Sequence, residues 1–181
     1  MKKTLIIFSI ICMIAVFTTK VMAQVTLTGN TAGAELVTVL TIANPTPLNF
    51  GRIGITSSTA GTVAMTTTGA RSSSAGTTII NTGTPKTVAI FNLTGTTNAA
   101  YTILLPSTIV VKTGVGTGNH ATTIGNLVVN VDGAGETTAV GAIGTLALGA
   151  SQFLMSGTLV IKAAQELGVY AGTYDVSVDY Q

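Results

Sequence analysis

The sequence predicts an all-β chain folded as an antiparallel β-sandwich, and three observations predict it. Thr occurs 31 times after residue 23; like Val it is branched at Cβ, which favours a pleated, half-buried backbone over a helix. Apolar and polar residues alternate with period two in run after run, sending one set of side chains to a core and the other to water. Gly, Pro, Asn and Asp separate the runs at spacings of roughly 8–12 residues, the rhythm of a sandwich or barrel rather than of strand–helix units.

The first segment stands apart from this pattern. Lys2 and Lys3 precede an apolar run from Leu5 to Phe17, 13 residues long, and Val21-Met22-Ala23 closes it with a small residue. Residues 1–23 therefore read as an export signal. The run falls short of the ~20 residues that span a bilayer, which argues against an uncleaved anchor. Gln24 rather than Cys follows the cleavage point, so no lipid attachment is expected, and Cys12 leaves with the signal. Residues 24–181 remain as a single β-sandwich domain, 158 residues long and large enough for a sizeable core.

Within that domain Val25 and Leu27 begin an alternation that Gly29 to Ala34 interrupts. The next expected strands are 35–43, 61–66, 87–94 and 101–105, followed by 124–132, 143–148 and 156–163. The last is the clearest: Tyr174, Val176, Val178 and Tyr180 alternate with Asp175, Ser177, Asp179 and Gln181. Expected turns are Asn44-Pro45-Thr46-Pro47, Gly83-Thr84-Pro85, Gly114 to Asn119, and Asp132-Gly133-Ala134-Gly135. A weak helical period around 163–167 predicts at most one turn.

Composition narrows the function classes. Only 8% of residues are charged and 46% are hydrophobic, which excludes a disordered chain. No basic stripe with interleaved aromatics is present, so nucleic acid is not an expected partner. Loss of Lys2, Lys3 and Lys20 leaves 5 basic against 6 acidic residues, a net charge of −1; the basic pI of ≈ 8.8 belongs to the whole chain. Residues 24–181 hold no Cys, so neither disulfides nor thiol chemistry are expected. Their aromatics are Phe50, Phe91, Tyr101, Phe153, Tyr170, Tyr174 and Tyr180. These do not recur at strand ends as the girdles of a membrane barrel would, and no transmembrane span is expected after signal cleavage.

The sequence offers little catalytic chemistry. His120 is the only His, no G-x-S-x-G elbow presents a Ser, and His120 reads as a solvated loop residue. The glycines of Gly114 to Gly118 are not followed by the residues or the helix of a dinucleotide loop. Asp132 and Glu136 bracket the only acidic loop; two carboxylates fall short of the 6–8 oxygens a calcium site wants, so a hairpin tip is the plainer reading. Asp175 and Asp179 share the wet face of the last strand. Paired carboxylates can serve glycoside hydrolysis, but on an open strand face with no aromatic platform for a sugar the plainer reading is that they keep the surface soluble or discourage edge pairing. Asn92-Leu93-Thr94 is a glycosylation sequon inside an expected strand. Arg52 and Arg71 lie near Gly-rich turns and are expected to pair with carboxylates internally. No catalytic residue, cofactor or metal site is assigned, and the chain is not expected to be an enzyme.

Two resemblances add to this. The ordered pieces Leu48-Asn49-Phe50-Gly51, Gly61-Thr62-Val63, Gly69-Ala70-Arg71-Ser72, Phe91-Asn92-Leu93-Thr94-Gly95, Ala100 to Pro106, Gly157-Thr158-Leu159 and Gly168 to Tyr180 resemble the bacterial family called domain of unknown function 4402. Its members are secreted, Thr/Gly-rich β-sandwich proteins with an LNFG start and a GTYTGTFDVTVNY end. The resemblance implies no activity. The C-terminus is also similar to those of chaperone–usher pilins, with Tyr180 penultimate and Gly168 fourteenth from the end. It implies an immunoglobulin-like, pilin-like antiparallel sandwich completed by a neighbour's N-terminal strand. The disulfide of many such pilins is missing here.

The expectation that follows is a secreted or cell-surface structural or adhesive protein, a fimbrial-type subunit. It would lie in the periplasm, on the outer surface or outside the cell. In the donor-strand version, residues 25–42 complete a neighbour, and the assembly residues are Val25, Leu27, Leu36, Gly168 and Tyr180. The partners are then copies of the chain or other envelope or pilus subunits, joined by strand addition. The alternative is a self-complete extracellular module binding carbohydrate or another envelope component in its loops. A secreted hydrolase is disfavoured by the scarcity of titratable groups.

Overall fold

A computed structural model describes residues 29, 31, 33–114 and 120–181. The chain divides into two units, 1–35 and 36–181. Of the first, only residues 29, 31 and 33–35 are described, none of them in a strand. The expected signal 1–23, Val25 and Leu27 lie outside the described residues, as does the 115–119 part of the expected glycine turn.

The second unit is all-β, and its strands pair antiparallel. In chain order they are β1 (Thr41–Thr46), β2 (Arg52–Ile55), β3 (Gly61–Met65), β4 (Arg71–Ser73), β5 (Thr77–Ile80), β6 (Ala89–Thr94) and β7 (Ala100–Leu104). Then come β8 (Ile109–Lys112), β9 (Ala121–Val131), β10 (Glu136–Thr138), β11 (Ile143–Thr145), β12 (Ala150–Ile161) and β13 (Ser177–Tyr180). An eight-stranded sheet runs β1-β6-β12-β3-β4, with β9 on β12 and both β8 and β10 on β9. A three-stranded sheet runs β11-β7-β13, and β2 pairs β5.

The long strand β12 organises the large sheet. Residues 150–155 pair β6 and residues 157–161 pair β3, while β9 pairs across 153–159. Alternation along these strands puts Phe91, Leu93, Phe153, Met155, Ile124 and Val129 into one core. Phe91 and Phe153 face each other in register, their rings stacked with centroids 4.7 Å apart. Tyr101 and Ile103 of β7 enter the same core from the three-stranded sheet, and the Tyr101 and Ser151 hydroxyls are hydrogen-bonded at 2.5 Å. The two sheets thus cover one apolar layer, a sandwich-like arrangement.

β9 carries an irregularity against β12 between Ser156 and Thr158, beside Asn126 at φ 45°. The burial phase shifts there, from Thr122 and Ile124 to Leu127 and Val129, because the extra residue of a bulge reverses which side chains face in.

Several expectations need correction. Asn44, Pro45 and Thr46 belong to β1 rather than to a turn, and its register slips between Ala43 and Thr46. β1 is an edge strand, where the missing N–H of Pro45 costs little. Residues 35–40, expected as strand, form none. The last ladder covers only Ser177–Tyr180, and β11 stops at Thr145. β9 and β12 start earlier than expected, at Ala121 and Ala150. β2, β4, β5, β8 and β10 were not anticipated; each has 3 or 4 residues, too few for an alternation to register. The expected Asp132 to Gly135 turn joins β9 to β10, and residues 163–164 make a turn and no helix.

Candidate functional site

The candidate site is a groove between the open edge of β1 and the chain that leads into β13. β1 pairs only β6, and β13 pairs only β7. The chain entering β13, residues 172–176, forms no strand, although exposed and half-buried positions alternate from Thr173 to Val176. Between it and β1 lies a cleft of about 390 Å³ lined by Ile42, Asn44, Phe91, Gly172, Thr173, Tyr174 and Val176.

The lining follows from the pattern of each element. Tyr174 and Val176 turn inward and pack on the core, while Thr173 and Asp175 turn out. Ile42 sits opposite Leu93 on the edge strand and is 37% exposed. Phe91 is the core side chain reached from the groove. Gly172 lies against the Val110 carbonyl, where any side chain would overlap. Burial pushes the Tyr174 hydroxyl pKa up, and this hydroxyl has no hydrogen-bond partner among the described residues. The lining carries no formal charge, so it suits an apolar or neutral strand rather than an ionic substrate.

Next to this groove, the segment before β1 is held by side chains rather than by a ladder. The Thr38 N–H donates to Thr96 Oγ1 at 2.8 Å, and Tyr180 Oη donates to the Thr38 carbonyl at 2.7 Å. The same Tyr180 oxygen accepts the Thr96 N–H at 2.7 Å. Gly95 makes room for this contact, since a side chain there would overlap the Tyr180 hydroxyl. Leu40 packs on the core, but Leu36 is 95% exposed and Val39 77%.

The expected assembly residues are thus distributed unevenly. Tyr180 pairs with Tyr101 across the β13–β7 ladder and clasps the segment that contains Leu36. Gly168 stands apart: it presses against Thr113 at the end of β8 and does not line the groove. The 41–42 end of the expected donor segment pairs β6 of its own sheet. Thr38, Asn44 and Thr96 were missed. The Asn44-Pro45 pair was the available signal, had it been read as a blunted edge instead of a turn.

The other candidates turn out to be internal contacts. His120 is not simply solvated: its Nδ1 lies against the Glu166 carboxylate, with the ring 28% exposed. Asp132 accepts from Ser151 Oγ at 2.7 Å and from the Gln152 N–H at 2.8 Å. Glu136 accepts from the Thr67 hydroxyl at 2.9 Å and from its N–H. Arg71 binds main-chain carbonyls and an amide rather than a carboxylate: Phe50 O at 2.6 Å, Ile80 O at 3.4 Å and Asn81 Oδ1 at 3.0 Å. Asn92 is exposed on β6 and accepts from Gln152 Nε2 at 2.9 Å. Among the described residues no three of His, Cys, Asp and Glu gather as metal ligands. Among the same residues no helix is long and apolar enough to cross a membrane.

A family model described as a domain of unknown function (DUF4402) matches residues 40–180. No curated protein and no solved structure matches the chain.

Proposed function

The chain belongs to the domain of unknown function 4402 family, and from that premise we propose that it is a structural, self-associating β-sandwich protein of the cell surface or exterior. It is a fimbrial-type subunit that joins its neighbours by strand addition and has no catalytic role. One observation carries the reading: the open edge of β1 and the segment 172–176, which forms no strand, flank an uncharged groove that reaches the core at Phe91. Such edges template an added strand, whose backbone bonds give affinity while alternate side chains fill the groove. The leader-like residues 1–23 support export. The internal bonds of Asp132, Glu136 and Arg71 support structural roles for groups that catalysis would leave free.

The test is a sheared envelope fraction, run unboiled and boiled on a denaturing gel beside negative-stain microscopy. A ladder that collapses on boiling, with fibres on the grid, is the expected result. A single band without fibres contradicts it and turns the search to a self-complete module with a ligand in its loops.

A further inference from the structure

We propose that Arg52, Arg71 and Lys86 form an oxyanion-binding site whose ligand is a phosphate group, free or carried as an ester on a larger molecule. The site shares no residue with the groove lining, and it stands independently of the strand-adding reading.

Three loops build it. Arg52 opens β2, Arg71 opens β4, and Lys86 precedes β6. Arg71 Nη1 donates to the Phe50 carbonyl at 2.6 Å, which ties the 69–71 loop to the 50–52 loop. Arg71 Nη2 reaches the Ile80 carbonyl, and Ile80 is the ladder partner of Arg52. Lys86 Nζ donates to the Gly69 carbonyl. A side chain at Gly51 would meet Arg71 Nη1 at 3.0 Å and the Lys86 backbone nitrogen at 3.2 Å, and one at Gly83 would meet the Arg52 side chain at 3.3 Å. Each loop thus touches the other two, and each brings one cation. Only Lys112 and Lys162 are left among the Lys and Arg residues after residue 23.

No carboxylate neutralises the cluster. Among the described residues the one ion pair joins His120 and Glu166. Glu136 reaches the neighbouring 66–70 turn but bonds Thr67, and Asp132 is held by Ser151 and Gln152. Arg71 is half-buried, donates only to carbonyl and amide oxygens, and keeps a buried Nε with no partner. Arg52 is exposed, and among the described residues no hydrogen bond or ion pair engages it. A cation drawn out of water normally has an anion beside it, and like charges held together repel. A bound anion relieves both.

The donor set selects the class of anion. A guanidinium offers a planar fork for two oxygens at once, and an ammonium adds a compact charge. A phosphate ester brings up to about two negative charges and three acceptor oxygens, a closer match to three cations than a single carboxylate. Thr68, Thr82 and Thr84 are exposed on the same loops and add hydroxyl donors. Phe50, the aromatic residue of these loops, is buried, so a nucleobase finds no ring to stack on and the phosphate itself is what is recognised.

Isothermal titration calorimetry of the full chain at low ionic strength tests the site. Tripolyphosphate stands for a free phosphate ligand and glycerol phosphate for an esterified one. Saturable binding is expected, and the tighter of the two identifies the source. Arg52→Gln, which removes a side chain without partners and so leaves the fold intact, is expected to bind roughly tenfold more weakly. Lys112→Gln, on β8, should bind as the wild type does. The ligand should also raise the melting temperature of the wild type more than that of Arg52→Gln. A wild type that binds neither compound overturns the site, as does an Arg52→Gln chain that binds as tightly as the wild type. An equal loss in Lys112→Gln overturns it too, since attraction would then follow net charge alone.

Discussion

At the residue scale, a few side chains connect separate parts of the fold. Phe153 stacks on Phe91 at the centre of the large sheet. Phe153→Ala is expected to cost about 3–5 kcal/mol, from lost burial plus the cavity left behind, read as a lower urea midpoint. Tyr101, Ser151 and Asp132 form a connected set between the two sheets. Asp132→Ala leaves Ser151 Oγ and the Gln152 N–H without their acceptor, a loss of about 1–3 kcal/mol measured by the same denaturation.

The two buried tyrosines set a pH dependence. Burial raises the Tyr101 pKa, the Ser151 hydrogen bond lowers it, and the charge of Asp132 raises it further; burial likewise raises Tyr174. The folded state therefore holds these protons more tightly than the unfolded chain. Their contribution is fully present below the ordinary tyrosine pKa of about 10 and is lost as pH rises through the higher folded values. Stability should fall in the alkaline range, and Tyr101→Phe should flatten that fall in a pH series of thermal melts. A slope unchanged by the substitution counts against the assignment.

At the scale of elements, the sequence was readable where strands are long or central. The alternations of β3, β6 and β7 are plain, and each of these strands is paired along its length. The three- and four-residue strands were invisible because their pairing is decided by distant partners: Arg71–Ser73 is a strand only because Val63–Met65 lies beside it. Tyr180 was legible as a penultimate residue, but its clasp on Thr38 was not, since 142 positions separate the two. Gly168 was singled out by spacing, and its actual neighbour, Thr113, lies outside the groove. Edge position also explains a testable asymmetry. Ile42 is on an open edge, so Ile42→Asp should leave folding stability within about 0.5 kcal/mol of the wild type. It places a charge in an otherwise neutral groove, where an entering strand would have to desolvate it.

For the whole molecule, low charge and an all-β fold go together with an open seam between β1 and residues 172–176. A closed sandwich hides its edges, whereas here the edge of β1 and the segment 172–176 face a groove of about 390 Å³. Fold class and family were legible in composition and in ordered motifs spread over residues 48–180, and the family match covers 40–180. The groove was not legible, because it is made by β1 and by residues 172–176, segments far apart in sequence.

The most direct test of the central claim is sedimentation velocity over a rising concentration series, with wild-type protein beside Ile42→Asp. Wild-type species are expected to grow with concentration, while Ile42→Asp stays folded and monomeric. A wild type that remains monomeric throughout, or an Ile42→Asp variant that assembles equally well, would contradict it.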